Sequence, residues 1–210
     1  MLKSSTIILT LLATTLCKAQ TDSVNHISER QLILKLAYNS SLIYPGISAG
    51  IEFPILHIST QVMENGKIVR NYTKSRLLSG KINWYHHPEF HDNVYLTTEW
   101  IMRRTGYKGF ISEFSMGPGF SRTFLSGTTY AVDDNGNVTV IKLSGYSYAL
   151  ITIGCGFGYD YWCRKQLPYE IYARMNLISM FPYNSTVSFR PVFEAGIRYI
   201  PGLVKSRNRK

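Results

Sequence analysis

Beyond its first nineteen residues the chain has no run approaching eighteen consecutive apolar residues, so no later segment qualifies as a membrane-spanning helix. Charge is scarce as well. Asp, Glu, Lys and Arg make up 17% of 210 residues, thin cover for a soluble exterior. Acids are the rarer sign, 13 against 23 Lys and Arg, for a formal net charge of +10. Cysteine is limited to Cys17, Cys155 and Cys163. On one continuous strand, Cys155 and Cys163 would lie up to ~26 Å apart, whereas a disulfide needs Cα atoms within ~7 Å. Two free thiols are therefore expected, with Cys155 on an apolar face. A nucleotide-binding loop is also missing: Gly154, Gly156 and Gly158 have the wrong spacing, and no helical pattern follows them.

What is present begins with an export signal. Lys3 precedes an apolar stretch from Thr6 to Leu16, and Cys17 and Ala19 place small residues at the −3 and −1 positions of a cleavage site. Residues 1–19 thus read as a signal peptide, with Gln20 starting the mature chain. Leu16 before Cys17 fits a lipoprotein site poorly. Losing Lys3 and Lys18 takes the net charge to +8. Such a balance favours anionic lipid or lipopolysaccharide phosphate; export argues against nucleic acid.

The most informative stretch is Tyr146–Trp162. Ala149, Ile151, Ile153, Cys155, Phe157 and Tyr159 fall on one face of a period-two pattern. Tyr148, Thr152, Gly154, Gly156, Gly158 and Asp160 fall on the other, with Leu150 the exception. An apolar face backed by small residues suits the wall of a narrow transmembrane barrel, with lipid outside and little room inside. Similar alternation predicts strands over Gln31–Asn39, Ile47–Ile55, Leu77–Tyr85, Val94–Arg103, Phe110–Ser121, Tyr169–Ile178 and Val187–Ile200.

The predicted fold is all-β, a closed antiparallel up-and-down transmembrane β-barrel of about eight strands. The even count lets first and last strands pair and leaves no edge. Residues 20–30 form a polar lead-in, 31–200 the barrel and 201–210 a basic tail. Both termini then lie on the periplasmic side, and Ser40–Gly46, His86–Asn93, Arg122–Gly145 and Ser179–Thr186 form extracellular loops. The long loop carries a hairpin signal at Asp134-Asn135-Gly136, and Trp162–Pro168 reads as a short basic turn. Leu56–Ser75, with its Asn65-Gly66 turn signal, is either a hairpin excursion or additional barrel wall.

This layout resembles the small outer-membrane β-barrels of Gram-negative bacteria. The Ala-Gln end of the signal region resembles those of the Bacteroidota. Glu194, Gly196 and Tyr199 match the last-strand pattern read by the barrel-assembly machinery, while Pro201 departs from its final aromatic. The resemblance implies an outer-membrane location and contact with lipid, lipopolysaccharide and the assembly machinery. It leaves the extracellular ligand unspecified.

The expected lumen face carries twelve charged residues: Lys35, Glu52, Lys81, Glu99, Arg103, Glu113, Asp160, Glu170, Arg174, Arg190, Glu194 and Arg198. Acids and bases are equal in number, which suggests a salt-bridged plug; an ion path would favour one sign. No catalytic set, cofactor or metal is expected. His86, His87 and His91, beside Glu89 and Asp92, have types that bind transition metals, but loop histidines are more commonly solvated. His57-Ile58-Ser59 is similar to the His-x-Ser arrangement of an outer-membrane lipid A deacylase family, without the residues expected after the serine. The main reading is a non-enzymatic barrel with loops as its interaction surface. The alternatives are a lipid-modifying enzyme using His57 and Ser59, or a secreted soluble barrel holding an apolar ligand.

Overall fold

The computed structural model describes residues 23–24, 31–41, 44–64, 67–183 and 186–201. The expected signal peptide, most of the lead-in, the Asn65-Gly66 turn and residues 202–210 of the tail lie outside them. In chain order the elements are β1 (Ser23–Val24), β2 (Ile33–Ser41), β3 (Tyr44–Glu64), β4 (Lys67–His87), β5 (His91–Gly106), β6 (Phe110–Leu125), β7 (Thr129–Val132), β8 (Val138–Ile141), β9 (Ser147–Asp160), α1 (Trp162–Lys165), β10 (Tyr169–Tyr183) and β11 (Thr186–Tyr199).

Eight strands form a closed antiparallel ring. β2, β3, β4, β5, β6, β9, β10 and β11 each pair with the next, and β11 pairs back onto β2 from Phe193–Ser40 to Tyr199–Leu34. β7 and β8 form a separate hairpin between β6 and β9. Connections at 42–43, 88–90, 126–146 and 184–185 lie at one end of the barrel, the loop end. Those at 65–66, 107–109 and 161–168 lie at the other, the turn end.

The two faces alternate as their sequences require. In β9, Ala149, Ile151, Ile153, Cys155 and Phe157 are exposed, while Tyr148, Leu150, Thr152, Gly154 and Gly156 are buried. Leu36, Ala49, Ile82, Leu96, Phe120 and Ala149 form an outward row of successive register partners across six strands. Polar and charged residues point inward. This polarity is the reverse of a soluble barrel carrying an apolar ligand.

Leu56–Ser75 adds no strand to the ring. β3 and β4 run past the rim together and pair from Leu56–Arg76 down to Glu64–Lys67. β4 keeps its β5 partner as far as Tyr72–Gly106, whereas β3 loses β2 beyond Glu52 and gains only β1, at Ser59 and Thr60. The register shifts between Pro54 and Leu56, because proline has no N–H for the ladder. Three of the expected loops are also mostly strand: Tyr44–Gly46, His86–His87 and Ser179–Tyr183 stay in the sheet. Turn-forming residues in these stretches signal an earlier end, but continued pairing satisfies backbone groups beyond the apolar belt. The Trp162–Pro168 turn contains α1, closed by Gln166 in a left-handed conformation at φ 51°.

Candidate functional site: a charge-filled lumen and an open mouth

Ten of the twelve expected lumen charges are buried together inside the ring: Lys35, Glu52, Lys81, Glu99, Arg103, Glu113, Glu170, Arg174, Glu194 and Arg198. Strand register supplies the first pairings. Arg103 faces Glu113 across β5 and β6; across β10 and β11, Arg174 faces Glu194 and Glu170 faces Arg198. Gly156 lies opposite both Arg174 and Glu113, and a Cβ there would run into the Arg174 side chain. The small residues of β9 therefore make room for the long ones of its neighbours.

Longer contacts join these pairs into one network. Arg198 reaches Glu113 at 2.6 Å, Glu52 at 3.1 Å and Glu170 at 3.5 Å. Arg103 reaches Glu52 at 2.6 Å, Glu113 at 3.2 Å and Glu170 at 3.3 Å. Lys35 lies 2.7 Å from Glu194 and 3.8 Å from Glu52. Lys81 joins Glu99 at 2.7 Å and Glu194 at 3.2 Å, and Arg174 joins Glu99 at 3.1 Å and Glu113 at 3.3 Å. Arg174 also donates a hydrogen bond to Ser115. The Tyr172 hydroxyl donates to Glu194 at 2.7 Å, and the Arg198 guanidinium lies 3.9 Å from the Tyr172 ring centre. Each of the five cations meets at least two carboxylates, and each of the five carboxylates at least two cations. Removing an ion from water costs several kcal/mol, so a balanced set is the arrangement that tolerates burial.

Apolar groups layer against the network at both ends, a feature that a lumen of charges alone does not predict, although a turn-end cavity of about 350 Å³ still reaches Arg103 and Glu170. Tyr85, Tyr95, Tyr148, Leu150, Ile178, Met180 and Val192 pack together on the loop side. Ile33, Leu77 and Ile101 pack with Ile200 on the turn side. Doubled apolar residues are the sequence trace of these layers: Leu77-Leu78, and Ile101 between Trp100 and Met102, send one side chain inward and its neighbour outward.

Above the loop-side layer the barrel opens into a cavity of about 710 Å³, lined in part by Tyr44, Tyr85, His87, Phe90, His91 and Arg190. Its rings form a continuous wall. Tyr44 and His87 have centres 4.3 Å apart, His87 and Phe90 4.8 Å, and Tyr44 and Tyr85 6.3 Å. Arg190, expected in the lumen network, stands here instead. Its guanidinium lies 3.7 Å from the Tyr85 ring centre and 5.3 Å from that of Tyr44.

Asp160, the other outlier, sits at the turn end. Its carboxylate accepts the Trp162 N–H at 2.8 Å and the Cys163 thiol at 3.4 Å. Partial burial, then the Asp160 charge, push the Cys163 thiol up to about 11. Cys155 and Cys163 are both free and exposed. In the long loop, Asp133 accepts from the Asn137 side chain and backbone, which hold its carboxyl below the usual range.

Strand alternation divides the histidine loop. His86 pairs with Asp92 at 2.7 Å, while His87 stacks with His91 at 5.3 Å between ring centres in the mouth. Among the described residues no group of three or more His, Cys, Asp and Glu is placed to hold a metal ion. His57 and Ser59 do not pair. The direct register partner of His57 is Ser75, and His57 Nδ1 lies 2.8 Å from Ser75 Oγ. Ser59 faces Thr73 instead.

No protein-family model matches the chain. No curated protein matches it either. Among solved structures, the crystal structure of Neisserial surface protein A (NspA) is similar at a TM-score of 0.39 and 14% identity, over 81% of this chain and 94% of that one. The barrel assignment stands on the closed pairing of the chain's own strands.

Proposed function

We propose that this chain is a non-enzymatic outer-membrane barrel with a plugged lumen, whose loop end is its working surface. The supporting observation is the inverted polarity of the ring: apolar residues outside and a charge-balanced network across its interior. An apolar exterior needs lipid around it, and closure satisfies every strand edge within a bilayer. Lipid and lipopolysaccharide are then the lateral partners, the assembly machinery inserts the barrel, and the loop end faces outward. The acid–base pairing of the interior suits a structural plug better than a conduction path, and His57 lacks an orienting carboxylate among the described residues.

Fractionation and reconstitution test this reading. The mature protein is expected in the outer-membrane fraction, extractable only with detergent, with gel mobility that changes on heating. In planar bilayers it is expected to give no stable open-channel current. Recovery as a soluble monomer without detergent refutes the membrane assignment; large steady currents from pure protein refute the plug.

A further inference from the structure

We infer that the loop-end mouth binds a small organic anion, a planar ring bearing a carboxylate or phosphate group, with the ring on the Tyr44–His87 wall and the anion on Arg190. The argument starts from an imbalance. Each of the five buried lumen cations has at least two carboxylates. Arg190 has no carboxylate within ion-pair distance among the described residues, and its Nη2 is buried without a hydrogen-bond partner. Of the acids at this end, Asp92 holds His86 and Asp133 closes its own loop on Asn137, while Glu89 and Asp134 are exposed and form no ion pair with Arg190. Two of the four strand connections at this end, residues 42–43 and 184–185, contain no acid in sequence.

The geometry narrows the chemistry. Stacking on Tyr85 occupies a face of the guanidinium and leaves the edge N–H groups to recognise an anion. That edge matches carboxylate and phosphate with paired hydrogen bonds. An inorganic anion would not use the aromatic wall, and a plain alkyl chain would not use Arg190. A ring bearing an anionic group uses both. The cavity, about 710 Å³, falls within the usual ~300–1,000 Å³ of small-molecule sites. Its floor is the apolar cluster that includes Tyr85 and Met180, so the inference rests on the plugged-barrel reading.

The test uses the full mature chain in detergent micelles, observed by fluorine NMR of two probes, para-trifluoromethylbenzoate and para-trifluoromethylphenyl phosphate. Empty micelles are the blank, and para-trifluoromethylbenzamide is the neutral analogue. Both anions are expected to broaden saturably, and the amide to bind at least about tenfold more weakly, the loss expected for a charge-assisted hydrogen bond. Arg190→Gln should weaken both anions by a similar factor, Tyr44→Ala should weaken all three probes, and Lys108→Gln at the turn end should change nothing. Equal binding of amide and anion, or unchanged anion binding in Arg190→Gln, overturns the inference. If Arg190→Gln does not fold, Arg190→Lys must weaken the anions severalfold, and the wild-type contrast between anion and amide still decides. Heat-modifiable mobility is measured on every sample. Its absence in the wild type means that the barrel reading has failed; its presence without probe discrimination means that only the mouth site has failed.

Discussion

Replacing Arg198 with Met should destabilise the barrel strongly, and neutralising one carboxylate should recover part of the loss. Arg198 is fully buried, meets Glu113, Glu52 and Glu170, and stacks on Tyr172. At an effective dielectric near 20, one close pair is worth ~4 kcal/mol before desolvation. Desolvation and repulsion from Arg103 and Arg174 offset much of that sum, while Met fills a similar volume. What remains is an uncompensated negative charge in a buried network, for which a loss of ~3–5 kcal/mol is expected. Glu113→Gln should cost a similar amount with the opposite imbalance. The double variant leaves Lys35, Lys81, Arg103 and Arg174 against Glu52, Glu99, Glu170 and Glu194, and each retains at least one opposite partner. It should therefore cost at least ~2 kcal/mol less than the two single changes added together. The assay is reversible urea unfolding in lipid vesicles, followed by tryptophan fluorescence and by heat-modifiable mobility. Additivity within ~0.5 kcal/mol, or a loss below ~1 kcal/mol for Arg198→Met, would refute the claim that charge balance sets the stability of the interior.

Three further outcomes are expected. Ile153→Arg, on the exposed apolar face, should lower folded yield more than Thr152→Ser on the inner face, by ~2–4 kcal/mol if Ile153 lies near mid-bilayer; equal yields would show that the faces are reversed. Exchanging residues 61–71 for a two-residue Asn-Gly turn should leave a folded, non-conducting barrel, since β4 first pairs with β5 at Tyr72; loss of heat-modifiable mobility would place the extended hairpin within the essential wall. In a Cys155→Ser background, Cys163 should alkylate slowly near pH 8 because its thiol is pushed up to about 11 and stays protonated. Asp160→Asn removes the adjacent negative charge and should speed the reaction several-fold, and an unchanged rate measured by mass spectrometry would remove Asp160 as a cause.

The wall was legible because its signal repeats along each strand. Every second residue from Ala149 to Phe157 reports the same exterior, and a one-residue error would invert the whole set. Strand ends were less legible. Pro45-Gly46 and Asn65-Gly66 are sound turn signals, yet whether a ladder stops at such a residue depends on the neighbouring strand, and that is tertiary information. β3 continues past Pro54 with one irregularity because β4 runs beside it. The His57–Ser75 contact was hidden for the same reason: a search along the chain finds Ser59 two residues away, whereas antiparallel pairing brings Ser75 opposite.

The composition of the lumen was legible, but its layering was not. Alternation shows that a residue points inward without giving its height, and height decides the role of Arg190. Arg174 and Arg190 lie on neighbouring strands and both face in. The first is level with the carboxylates; the second lies opposite Ile178, at the level of the apolar cluster that includes Ile178, Met180 and Val192. That cluster keeps Glu194 from serving Arg190, since Glu194 is already held by Lys35 and Lys81 below it. Tyr85 receives the displaced guanidinium on its ring face instead. Equal totals of acids and bases therefore conceal two local departures from balance. Asp160 at the turn end is absorbed by the Trp162 N–H and the Cys163 thiol. Arg190 at the loop end has no carboxylate within ion-pair distance among the described residues; its guanidinium lies over the Tyr85 and Tyr44 rings, and its Nη2 is buried without a hydrogen-bond partner.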